Sequence, residues 1–195
     1  WHSQGPGFVC MKNKPIYKLE DLKGIKTRTP SGNIPFYKAL GGAPVSMPMP
    51  EVYEALSKGI VDGITGAYEA LESRRTGEFI KYVTENRLTS YTSSFVLAMN
   101  KSRWDSLPAD IQQIIDQMSK EYIEKSGIAW DRADQSGWKF VEKRGAKKII
   151  LSKEEEQRWI EKGQKPAFED YIKRMKAKGL PGEEALKFLM SLLNR

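Results

Sequence analysis

The stretch EDLKGIKTRTP, residues 20–30, decides how the rest of the chain is read. A short polar helix over Leu19 to Lys23 closes on Gly24, and an extended segment from Ile25 to Thr29 ends at Pro30. Arg28 therefore falls near the C-terminal end of a strand, and Ser31, Gly32 and Asn33 open the helix that follows. In open α/β sheets ligands collect at the carboxyl ends of strands beside helix N-termini. An arginine there can hold an anion with its forked donors. On this stretch alone a surface arginine is the simpler reading, because most arginines are exposed; the surrounding chain changes the balance.

Outward from this point, strand and helix alternate. Before it, Phe8 to Lys12 form a strand that Pro15 terminates. After it come a helix from Ile34 to Leu40, stopped by Gly41 and Gly42, and a strand from Pro44 to Met47. A helix then starts at Pro50 through EVYEALSKGIV, where Val52, Leu56 and Ile60 share one inward face with Ala55 alongside. Val61 to Thr65 form the next strand, and Tyr68 to Arg74 the next helix. This alternation predicts βαβ units on a parallel sheet. Residues 79–83 read as a short amphipathic turn, and SYTSSFVLAMNK (90–101) as a longer strand.

Pro108 opens the longest helical pattern. Ile111, Ile114, Ile115, Met118, Tyr122 and Ile123 form one stripe, and the pattern runs through Trp130 and Trp138 to Val141, with Gly127 and Gly137 as candidate kinks. Unbroken, it measures about 50 Å at 1.5 Å per residue, long enough to bridge two lobes. KKIILS supplies one more strand, Ser152 with Glu155 a capping box, and the following helix is interrupted at Pro166. Glu183 to Leu193 form a final helix. No internal repeat or low-complexity segment occurs.

Composition narrows the function classes. The chain has 195 residues, 39% hydrophobic and 29% charged, an ordinary globular balance. No apolar run approaches the ~20 residues of a membrane helix. A single cysteine, Cys10, excludes an internal disulfide, and a single histidine, His2, leaves no material for a His-rich metal site or a Ser-His-Asp triad. The net charge of +7 invites a nucleic-acid reading, but the basic residues of the last third alternate with Glu and Asp as on a solvated face. Nucleic acid is not expected as a partner. WHSQGPG has no basic and apolar leader pattern, so the expectation is a processed or excised piece.

Three blocks, KPIYKLEDLKGIKTRTP (14–30), LGGAPVSMPMPEVYEALSKGIVDGI (40–64) and FVLAMNKSRWDSLPADIQQII (95–115), together resemble the solute-binding proteins of TRAP transporters, the DctP-like family of extracytoplasmic receptors. The resemblance implies an α/β, periplasmic-binding-protein-like (type II) two-lobe architecture with ligand in the cleft and a long helix shared by both lobes. It further implies a periplasmic receptor for an organic acid anion, working with TRAP membrane permease subunits. No cofactor, metal or catalysis is expected. The chain would hold one complete lobe, residues 5–90 and 131–175, the returning strand and helix of the first lobe, residues 91–130, and a C-terminal helix, residues 176–195. First-lobe elements without sheet partners would expose edges, so a paired or swapped homodimer is a further expectation.

The family's strand arginine, which forms the main salt bridge to the ligand carboxylate, corresponds to Arg28. Met49 matches a position that supplies an apolar or aromatic wall, and Thr65, Gly66 and Tyr68 follow the turn at Asp62 and Gly63 that normally leads into the cleft. Phe8 and Val9 complete the expected ligand-binding set. The departures are informative. Gly66 stands where sialic-acid-type members carry an asparagine, Thr65-Gly66 or Gly66-Ala67 where metal-assisted members carry Glu-Trp, and Val9 where a second arginine is common. Fewer charges and more apolar wall favour a monocarboxylate, or an aromatic or otherwise apolar acid. The competing readings are an enzyme on a related α/β scaffold, which lacks candidate machinery, and a basic adaptor without a small ligand.

Overall fold

The computed structural model describes residues 2–193. After β1 (His2–Ser3) and β2 (Phe8–Met11), a 3-10 turn over Leu19–Leu22 leads into β3 (Lys26–Arg28). Then follow α1 (Ile34–Ala39), β4 (Ala43–Val45), α2 (Val52–Ser57), β5 (Gly63–Gly66), α3 (Tyr68–Ser73) and β6 (Tyr82–Glu85). The remainder comprises β7 (Ser94–Phe95), α4 (Lys101–Asp105), α5 (Ala109–Glu142), β8 (Lys147–Ile150), α6 (Lys153–Trp159), α7 (Lys165–Ala177) and α8 (Gly182–Leu193). Asn194 and Arg195, the end of the expected C-terminal helix, lie outside the described residues.

The main sheet has six strands in the order β4-β3-β5-β2-β6-β8. It is mixed rather than parallel: β2 runs antiparallel to both its neighbours, β5 and β6, while the β3–β4, β3–β5 and β6–β8 pairs are parallel. The parallel expectation holds for the strands joined through helices and fails at β2, which enters the centre of the sheet before the first crossover.

β2 is buried on both faces, and its alternation divides the core. Phe8 and Cys10 pack with Val52, Leu56 and Val61, with Tyr68 and Leu71 of α3, and with Val141 of α5. Val9 and Met11 face the other way, onto Leu19, Leu22, Phe36 and Tyr37 of α1, and Trp159 of α6. Helices thus cover both faces, which suits strands that read as near-continuous apolar runs. Each such fully buried side chain contributes about 1.5–3 kcal/mol of transfer free energy. Burial also raises the pKa of the Cys10 thiol strongly, leaving it a neutral packing group.

The crossovers create a crevice at one end of the sheet. The connection leaving β3 passes through α1 on one face, and that leaving β5 through α3 on the other. Adjacent strands whose outgoing helices lie on opposite faces create a crevice at their carboxyl ends. Arg28 ends β3 and Gly66 ends β5 at that point.

Several local expectations change. Ile60 is 53% exposed because α2 stops at Ser57 and Gly59 turns with φ +70°, taking Ile60 off the helical face. Residues 79–83 are not a turn: Tyr82 starts β6, whose Val83 is fully buried. Among the described residues, the strand expected over 90–101 is reduced to Ser94–Phe95, paired with His2–Ser3, and an isolated bridge between Tyr91 and Gly7. Leu97, beyond this strand, is 98% exposed. Pro166 does not interrupt a helix; it sits in the first turn of α7 after a π-helical turn over Ile160–Gln164, where its missing N–H is tolerated.

α5 runs unbroken for 34 residues through both glycines. At Gly127 the space is open, whereas Gly137 lies so close to the start of α3 that an added Cβ would collide with the Tyr68 carbonyl oxygen. Gly137 is thus a contact point and not a kink. Towards the N-terminal end the helix leaves the sheet, and Ile111, Ile114, Met118, Tyr122 and Ile123 are all exposed. Among the described residues, no helix is long and apolar enough to cross a membrane.

Candidate functional site

A hollow of about 380 Å³ opens at the carboxyl ends of β3 and β5, within the range of small-molecule sites. Its floor is the end of β5, Ile64 to Gly66, with Ala67. Arg28 and Met49 stand on one side; Gln4, Tyr91, Ser93, Phe95 and Trp130 stand on the β1–β7 and α5 side. The larger part of its lining surface is apolar.

Arg28 is half-buried, and its Nε and Nη2 both donate to the Met47 carbonyl oxygen at 3.2 Å. Among the described residues it has no carboxylate partner. Desolvation lowers its pKa, opposed by the neighbouring Tyr91. An arginine remains a cation under such a shift, so the hollow contains a positive charge that burial disfavours and that an entering anion would satisfy. Two donors are engaged by the backbone, which fixes the fork and leaves the remaining donors for a ligand.

Tyr91 was not singled out by the sequence, which places it inside a strand with nothing to mark it. Its hydroxyl donates to the Thr65 carbonyl oxygen at 3.3 Å, and burial pushes its pKa up to about 12, against the opposing influence of Arg28. The ring lies against Gly7, where a Cβ would collide with it. Thr65 Oγ1 donates to the Arg28 carbonyl oxygen at 3.4 Å, linking the two strand ends. Glu69 also reaches the rim, but its Oε2 accepts from Ser73 Oγ at 2.9 Å, and its backbone N–H donates to Asp134 Oδ1 at 2.8 Å. Asp134 on α5 therefore caps the first turn of α3, and burial raises its pKa.

The structure brings Arg28, Met49, Thr65 and Gly66 to one hollow. Phe8, Val9 and Tyr68 do not line it. Phe8 and Val9 belong to the central strand and are consumed by the two cores. Tyr68 begins α3 pointing inward, packs edge-on against Trp138 and tilted against Phe8, and donates to Glu85 at 2.7 Å. Sequence reasoning missed a second arginine at the hollow, Arg74 of the α3 segment, and also Gln4, Tyr91, Ser93, Phe95 and Trp130, which come from segments remote in sequence brought together by the β1–β7 pair and α5. No local motif marks them. Among the described residues, no group of three His, Cys, Asp or Glu side chains could hold a metal ion.

The family described as DctP, bacterial extracellular solute-binding protein, family 7, matches residues 2–174. The C4-dicarboxylate-binding periplasmic protein DctP of Rhodobacter capsulatus is 30% identical over 134 residues, 67% of this chain and 40% of its own length. A TRAP solute-binding protein from Rhodoferax ferrireducens T118, crystallised with copurified benzoate, superposes with a TM-score of 0.85 at 29% identity, covering 95% of this chain and 59% of that one. A marine metagenome TRAP solute-binding protein from an unidentified microbe, specific for aromatic acid ligands and holding 3-hydroxybenzoate, gives 0.86 at 30% identity with the same coverage. The chain spans about half the length of the curated relatives it matches.

Proposed function

The chain belongs to the DctP family of bacterial extracellular solute-binding proteins, and from that premise we propose that the whole protein is a periplasmic receptor that captures an organic acid by its carboxylate. The observation that carries the reading is Arg28: a half-buried guanidinium without a counter-charge among the described residues, at the switch point of the sheet, facing a hollow of ligand size. Met49, Thr65 and Gly66 shape the wall and floor, and Tyr91 extends the polar edge.

The sheet-bearing body, residues 5–90 and 131–175, acts as one lobe, and residues 91–130 reach towards another. Lobes that close by hinge motion around a ligand would remove Arg28 from water and strengthen its pairing. The closed form then presents the acid to the membrane permease of a TRAP transporter, without chemistry on the ligand. The exposed stripe of α5, from Ile114 through Met118 to Tyr122, supports pairing with further apolar surface, and a second copy of the chain is one such surface; a size-exclusion profile containing monomer alone counts against it.

A thermal-shift screen of organic acids on the full-length protein tests the receptor reading. Stabilisation by at least one carboxylate is expected, lost in Arg28→Ala. If no carboxylate in a broad panel stabilises the protein, or if Arg28→Ala binds with unchanged affinity, the reading fails. Turnover of the bound acid would move the protein to the enzyme class.

A further inference from the structure

Three rings, two of them lining the hollow, lie nearly parallel. Phe95 and Trp130 have centroids 5.9 Å apart with planes 6° apart. His2 stacks on both, at 5.2 Å from Phe95 and 5.9 Å from Trp130, each with a 20° interplanar angle. The three come from β1, β7 and α5, and the two-residue β1–β7 ladder places His2 directly opposite Phe95. Phe95 and Trp130 both line the Arg28 hollow, and Phe95 keeps 39% of its surface exposed.

Exposed aromatic surface of this kind, held parallel at the wall of a site that also holds a cation, has a specific chemical complement. We propose that Trp130 and Phe95 are specificity-determining residues that select an aromatic carboxylate, the ligand ring extending the stack while its carboxylate reaches Arg28. This rests on the carboxylate-receptor reading above. Aromatic pairs prefer offset-stacked or edge-to-face arrangements with centroids 4.5–7 Å apart, the spacing that the three rings already adopt among themselves. A flat ring of similar size can join that arrangement; a puckered ring carrying axial hydrogens cannot lie as closely. Gln4 and Ser93, on the same side of the hollow, offer polar groups to a ring substituent.

The arrangement also divides the labour of recognition. Arg28 belongs to the sheet, whereas Phe95 and Trp130 belong to the β7–α5 segment, so acid charge and ring shape are read by different parts of the chain. Changing one part should alter selectivity without removing the response to charge.

Benzoate and cyclohexanecarboxylate carry the same charge on rings of similar size and differ in aromaticity. Calorimetric titration of the full-length protein with both acids should show benzoate binding about three- to tenfold more tightly, the range expected of one aromatic contact. Trp130→Leu, which keeps apolar bulk, should remove that preference while cyclohexanecarboxylate affinity stays within about twofold, and Phe95→Leu provides an independent second variant. Melting temperatures without ligand identify any variant that has lost its fold. Equal wild-type affinity for the two acids, tight binding of aliphatic acids only, or an unchanged preference in both folded variants overturns the aromatic inference and leaves the receptor reading intact. Failure of every carboxylate to bind, or unchanged benzoate affinity in Arg28→Ala, overturns the receptor reading and the inference with it.

Discussion

The guanidinium of Arg28 is held by the carbonyl oxygen of Met47, which accepts from both Nε and Nη2 at 3.2 Å. This backbone clamp aims a cation without neutralising it. The carbonyl is a dipole and not a counter-charge, so the guanidinium is oriented by the backbone while its charge stays without a carboxylate partner among the described residues. The same clamp distinguishes arginine from lysine, since one ammonium cannot hold the carbonyl along two N–H directions and still present a fork to a carboxylate.

Arg28→Lys in the full-length protein should therefore weaken carboxylate binding by about ten- to a hundredfold, the worth of a charge-assisted hydrogen bond pair. Its melting temperature without ligand should change little, because the side chain is not part of either core. Calorimetry and ligand-free thermal melts separate the two effects. Retention of wild-type affinity would show that charge alone suffices.

Gly66 offers a steric test. A Cβ there would meet only Ile64 Cδ1, at an ordinary 3.7 Å, and the residue sits in a strand where β-branched side chains are favoured. Gly66→Val should fold normally yet fill part of the hollow and reduce ligand affinity at least tenfold. A variant that binds normally would place the ligand away from the end of β5.

The crossing of α5 over α3 depends on Gly137. Since an added Cβ would collide with the Tyr68 carbonyl oxygen, Gly137→Ala must push the helices apart, at a cost of about 1–3 kcal/mol despite alanine's better helix propensity. Gly127→Ala, where nothing lies within 4 Å, should stabilise by up to about 1 kcal/mol. Urea denaturation of the pair measures the contrast in one helix.

Acid sensitivity should centre on Glu85. Burial acts to raise its pKa, but hydrogen bonds from Lys148, Tyr68 and Arg87 outweigh it and hold the pKa below the ordinary carboxylate value. A depressed folded-state pKa contributes stability that is present above the unfolded value, near ~4.3, and lost as pH falls through the folded one. Glu85→Gln should cost about 1–3 kcal/mol at pH 7, and the difference from wild type should shrink below about pH 4. A pH-independent difference would mean that the charge is immaterial.

Much of the architecture was legible along the chain because the signals are local. Gly24 and Pro30 bracket β3, and Gly41 and Gly42 stop α1, each through backbone conformations or missing donors that act within a few residues. Four of the seven expected site residues reach the hollow for a related reason: Arg28, Met49, Thr65 and Gly66 all lie at or just beyond strand ends, where an α/β sheet places its crevice. Phe8, Val9 and Tyr68 could not be assigned this way. Their destination depended on β2 lying between β5 and β6, a pairing between segments more than fifty residues apart.

Local chemistry in the chain thus settled most of its strands and helices and the place of Arg28 at a strand end, since periodicity, turns and side-chain charge are carried by neighbouring residues. Only the folded arrangement made the central strand antiparallel, turned Gly137 from a kink candidate into a contact, and brought His2, Phe95 and Trp130 face to face. Those outcomes depend on which distant segments share the same space. That is a property of packing, which no window of sequence contains.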